Sequence, residues 1–111
     1  MTANLFDIPG WDTDGELITP LADAPDFRVE RIISRGDVTP DGSWYDQAHD
    51  EWVVVLQGEG VVEDDRGMCT ALKAGDSLFL PAHLRHRVVH TSAVPPCIWL
   101  AVHGNGPAQG E

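Results

Sequence analysis

Positive charge is scarce in this sequence: seven Lys and Arg stand against 18 Asp and Glu, for a formal charge of −11. Such an imbalance repels nucleic-acid backbones and anionic headgroups at long range, so neither nucleic acid nor an anionic membrane is an expected partner. Arg85 and Arg87 flank His86, but they make too small a patch to reverse that conclusion. Long apolar runs are also missing. No segment approaches the roughly 20 apolar residues that a membrane-crossing helix needs, and the opening "MTANLFDIPGWDTDGEL" has neither the basic start nor the apolar stretch of an export signal. A soluble cytoplasmic chain is the expectation. Cysteine is limited to Cys69 and Cys97. Their wide separation gives no redox pair and no half of a zinc cluster, so two separate reduced thiols are expected. Ser34, Ser43, Ser77 and Ser92 lack the surroundings of a nucleophile elbow, and no glycine-rich phosphate loop is present.

A hydrophobic fraction of 42% with four Trp is enough apolar surface to offset the ordering entropy of folding. At 111 residues the chain is expected to form one domain. Pro9, Pro20 and Pro25 punctuate residues 1–26 too closely for a long helix, which suits an N-terminal arm in which "LITPL" supplies an edge strand. From residue 27 to residue 103 the pattern is one of short strands between turns. "FRVERII" alternates, "EWVVVL" is branched and aromatic, and "CTAL", "SLFL", "HRVVHT" and "CIWLAVH" follow at short intervals. Gly58 and Gly60 are expected to close a hairpin between "EWVVVL" and the strand beginning at Val61. Many short strands, with no amphipathic helix of ordinary length, predict an all-β barrel or sandwich. Residues 104–111 carry little apolar surface and are expected to fray as a flexible tail.

The chemistry-bearing residues fall in two stretches. In "YDQAHDE", Tyr45, Gln47, His49 and Glu51 share one strand parity, with a turn or bulge expected among the intervening residues. In "LFLPAHLRHRVVH", His86 and His90 share another. Imidazole and carboxylate donate electron pairs to divalent metals, and a Gln amide oxygen does so more weakly. The candidate metal set is therefore Gln47, His49, Glu51 and His86, with His90 orienting a ligand or touching substrate. His83 reads as a turn or rim donor, and His103 as a residue close to the tail. Trp52 and Trp99 read as packing residues, and Trp44 beside Tyr45 as a candidate for a pocket mouth.

The spacing in these two stretches resembles that of small single-domain cupins. The first cupin motif, G(X)5HXH(X)3,4E(X)6G, is met by Glu51 and Gly58, with Tyr45 and Gln47 standing where the two histidines usually are. The second, G(X)5PXG(X)2H(X)3N, is met by Gly75, Pro81 and His86, with His83 in place of Gly and His90 in place of Asn. The resemblance implies a double-stranded β-helix or jelly-roll barrel and a homodimer. It implies a small polar or partly aromatic metabolite as ligand. It also implies iron, manganese, nickel or zinc held in part by Glu51 and His86. His49 lies outside the family's ligand columns, and its place in the candidate set comes from parity alone. The functions in view are a metal-dependent oxygenase, isomerase or decarboxylase, a nonenzymatic metabolite-binding or sensor module, and an acidic scaffolding or storage protein.

Overall fold

The computed structural model describes residues 2–104, so the expected tail lies, from residue 105 onward, outside the described residues. The chain is all-β. Among the described residues its eight strands are β1 (Leu17–Asp23), β2 (Phe27–Ser34), β3 (Glu51–Gln57), β4 (Glu59–Asp64), β5 (Cys69–Lys73), β6 (Ser77–Leu80), β7 (His86–Thr91) and β8 (Cys97–Gly104). They form a five-stranded sheet in the order β1-β2-β8-β3-β6 and a three-stranded sheet in the order β5-β4-β7, antiparallel throughout. The short strands predicted an all-β barrel or sandwich, and the jelly-roll form is the one the resemblance implied. No described helix is long and apolar enough to cross a membrane.

Alternation sets which side chains meet between the sheets. On β3, Glu51, Val53 and Val55 are buried while Trp52 is exposed. On β8, Cys97, Trp99, Ala101 and His103 are buried on one parity, and Leu100 and Val102 point the other way. Val53, Val55, Val62, Leu72, Leu80, Trp99 and Ala101 make one apolar cluster. At roughly 1.5–3 kcal/mol per fully buried large side chain, it is the main cohesive element of the domain. Trp99 rests on Gly60, where an added Cβ would enter the indole ring; a bare backbone is required there by packing. Cys69 is exposed, Cys97 is buried, and both are free thiols. Burial, and secondarily the charge of Glu59, pushes the Cys97 thiol up to about 12, which leaves it inert.

The hairpin expected at Gly58 and Gly60 does not form. β3 belongs to the five-stranded sheet and β4 to the three-stranded one, so Gly58 is a corner where the chain passes between sheets. Its φ of 77° and the closeness of Ser92 and Cys97 to its missing side chain explain why glycine stands there. On the outer face of β2, Arg31 and Ile33 are buried, and Arg31 reaches the N-terminal segment. Arg31 Nη1 donates to the carbonyls of Leu5 and Asp7 at 3.3 and 2.8 Å.

Candidate functional site

A cavity of about 320 Å³ opens between the two sheets, at the low end of the roughly 300–1,000 Å³ usual for small-molecule pockets. Val53, Val62, Leu80, Val88 and Trp99 form its apolar wall; Glu16, Glu30, Asp37, Gln47, Glu51, His86 and His103 supply its polar atoms. Exposed Val38 and Tyr45 sit at its rim.

Glu51 opens β3 and lies opposite His103 of β8, while His86 opens β7 in the facing sheet. Two strands from opposite layers thus bring an acid and an imidazole to one place. Glu51 Oε1 stands 3.8 Å from His86 Nε2, and its Oε2 stands 3.7 Å from His103 Nε2. Neither separation is a hydrogen bond. Glu51 is only 8% exposed, and no donor among the described residues reaches its carboxyl. Burial first, and then the charge of Glu30, pushes its pKa up to about 7, with Arg28 acting in the opposite direction.

His86 is oriented by its backbone surroundings. Its Nδ1 lies 2.9 Å from the Leu84 carbonyl, which only accepts, so the neutral ring carries its proton on Nδ1 and turns the Nε2 lone pair toward Glu51. Tyr45 stacks on the same ring at 5.5 Å between centroids. The Tyr45 backbone exchanges hydrogen bonds of 2.8 and 3.1 Å with that of His86. Burial, followed by the charges of Glu16 and Glu51, raises the Tyr45 phenol above its ordinary range and keeps it protonated.

His103 spends both ring nitrogens. Nε2 donates to Glu30 Oε1 at 2.9 Å, and Nδ1 lies 3.2 Å from His49 Nε2, which donates to it in the neutral pair. Burial holds His103 below the usual histidine range, and the Glu30 hydrogen bond offsets this only in part.

Of the residues singled out in the sequence, Gln47, Glu51 and His86 line the cavity. His49 does not; it lies behind His103. His90 is also elsewhere: it is exposed and faces Glu59 at 3.3 Å. A bulge explains the departure. Val62 pairs with Val88 but the adjacent Val61 pairs with His90, so Val89 is an extra residue that turns His90 to the outer face. His83 is exposed, adopts φ 65° and bonds Asp46 at 3.0 Å, and its N–H donates to the Gln47 carbonyl at 2.7 Å. It thereby fastens the loop that carries Tyr45 and Gln47. His103 and Glu30, read in the sequence as a tail-side residue and a strand residue, prove to be cavity groups. The alternation of "CIWLAVH" and "FRVERII" carried that signal.

The donor set is a poor fit to a resident divalent ion. Among the described residues, no three His, Cys, Asp or Glu side chains come together so as to hold a metal. With His103 committed on both sides, Tyr45 held protonated and His49 outside the cavity, His86 Nε2, the Glu51 carboxyl and the weak Gln47 amide oxygen are what remain, whereas metal sites ordinarily use three or four firm donors.

The family model for the Cupin domain matches residues 32–103, and the chain belongs to the cupin family. A solved structure from Ralstonia eutropha JMP134, described as a candidate mannose-6-phosphate isomerase, is 38% identical with a TM-score of 0.88, covering 96% of this chain and 99% of its own. An RmlC-like cupin from Desulfovibrio desulfuricans is 18% identical with a TM-score of 0.75, over 94% of this chain and 95% of its own. KdgF from Halomonas sp. is 24% identical with a TM-score of 0.70, over 87% of this chain and 84% of its own. No curated protein sequence matches the chain.

Proposed function

We propose that this cupin binds a small hydroxyl- or carbonyl-bearing metabolite and catalyses proton transfer of the isomerase type without a resident metal. The observation that supports this most is the pairing of the unbonded carboxyl of buried Glu51 with the His86 Nε2 lone pair, 3.8 Å apart and facing one cavity. A carboxyl that titrates near 7 is suited to give and take a proton at neutral pH. With Glu51 neutral, its O–H protonates a substrate carbonyl oxygen while His86 Nε2 takes the proton from the neighbouring carbon, leaving an enediol. His86 then returns its proton to the former carbonyl carbon, and Glu51 removes one from the other hydroxyl. Gln47 and the Tyr45 phenol hold the remaining hydroxyls. The Ralstonia relative, described as a candidate mannose-6-phosphate isomerase, agrees with this reading in reaction type.

The test is solvent deuterium exchange at carbons adjacent to the carbonyl in a panel of small hydroxyaldehydes and hydroxyketones, followed by NMR. Glu51→Gln and His86→Ala are expected to slow exchange by about 10²–10⁴-fold, and His90→Ala, on the outer face, to leave it unchanged. Exchange that survives Glu51→Gln overturns the assignment. Tight binding of a co-purified metabolite with no exchange would favour the nonenzymatic binding module instead.

We propose a homodimer through the outer face of the larger sheet. Phe79, Trp52, Val102 and Val29 align in register across β6, β3, β8 and β2. Phe79 is 56% and Trp52 40% exposed, and an apolar row of this kind is self-complementary about a two-fold axis.

A further inference from the structure

We infer that the cavity takes a small ligand carrying a protonated amine on a hydroxylated frame, and rejects phosphorylated and carboxylated ones. This deepens the reading above and rests on it only in treating the cavity as the substrate site. Four carboxyls line the cavity, from Glu16, Glu30, Asp37 and Glu51, and no described lining residue is Lys or Arg. The Lys and Arg side chains lie outside the cavity lining, and among the described residues Arg28 is the only one of them to form an ion pair with a lining carboxyl. Arg31 donates to the carbonyls of Leu5 and Asp7 beyond the outer face of β2, Arg87 pairs with Glu63, Arg35 lies over Trp11, and Lys73, the single lysine, is exposed on β5. Arg28 approaches Glu30 only at 3.9 Å.

Acidity alone would not identify a ligand; the state of Glu51 does. Glu30 has the His103 N–H, Glu16 has the Ser34 hydroxyl and Asp37 has the Arg35 backbone N–H. Glu51 is buried and faces the cavity with no donor of its own. A buried carboxyl left in this way stays neutral toward a ligand without charge, as in the proton transfer above, and is ionised by a partner that brings both hydrogen-bond donors and positive charge, which makes that partner the tighter ligand. An ammonium group brings both, and Tyr45 and Trp99, aromatic rings of the kind that attract cations, are among the lining residues. A phosphate would meet four carboxyls and no Lys or Arg side chain, only the imidazoles of His86 and His103. The phosphate implied by the description of the Ralstonia relative therefore has no counterpart among the residues here.

Three sugars with one ring separate the possibilities: mannosamine, mannose and mannose 6-phosphate, titrated at millimolar concentrations into the wild-type protein by NMR, with chelator present. Mannosamine is expected to bind about tenfold or more tightly than mannose, as a charge-assisted hydrogen bond does relative to a neutral one, and mannose 6-phosphate more weakly than either. Glu51→Gln is expected to abolish the amine preference, and Glu16→Gln, at the exposed mouth, to reduce it without touching the core. Mannose 6-phosphate binding as tightly as mannose, equal affinities for mannose and mannosamine, or no binding of all three would each overturn the inference. Failure of the catalytic reading would show in the deuterium-exchange assay and leave these affinity ratios standing. Failure of charge selection would leave the exchange defect of Glu51→Gln standing.

Discussion

Replacing Glu51 by Gln should stabilise the fold at neutral and alkaline pH, because the native carboxyl is held where its charged form is disfavoured. The folded chain raises the pKa of this group from 4.5 to about 7, so between those values the folded protein binds more protons than the unfolded chain does. Stability therefore falls as pH rises across that interval, and the loss is complete above it. At 1.36 kcal/mol for each tenfold change in proton affinity, the full effect is about 3 kcal/mol. Gln keeps the shape and has no charge to lose. The two proteins should differ little at about pH 5, and Gln should be the more stable by about 3 kcal/mol at about pH 8. Urea unfolding followed by tryptophan fluorescence measures this directly, and other titrating groups cancel in the difference between the two proteins. A difference in stability that does not change with pH would refute the account of the site. Retention of a carboxylate at a cost to the fold is itself the mark of a residue kept for its chemistry.

Two further outcomes follow from the packing. Gly60→Ala is expected to cost about 1–3 kcal/mol in the same unfolding assay and to shift Trp99 emission, since the added methyl enters the space of the indole. Wild-type protein is expected to run as a dimer in light scattering coupled to size exclusion, and Trp52→Glu, on the outer apolar row, to yield a folded monomer with unchanged exchange activity.

The barrel and half of the site were legible in the chain. Alternation marked β2, branched and aromatic composition marked β3, and the positions of Glu51, Gly58, Gly75, Pro81 and His86 carried the family pattern and the two residues that meet in the cavity. Two things were hidden. A strict period of two places His86 and His90 together, and only the pairing partner on β4 reveals the extra residue at Val89 that separates them. Gly58 and Gly60 mark a reversal equally well whether the next strand pairs beside β3 or crosses to the other sheet, because that choice is made by long-range packing around Trp99. His103 was readable from its parity with Trp99 and Ala101, but its nearness to the end of the chain argued against it.

The contacts from Glu30 through His103 to half-buried His49 brace one wall of the cavity from behind. With each ring nitrogen of His103 already held, neither it nor Glu30 is free to swing toward an occupant. The adjustable part of the vessel is then the place where Glu51 and His86 face each other with no bond between them.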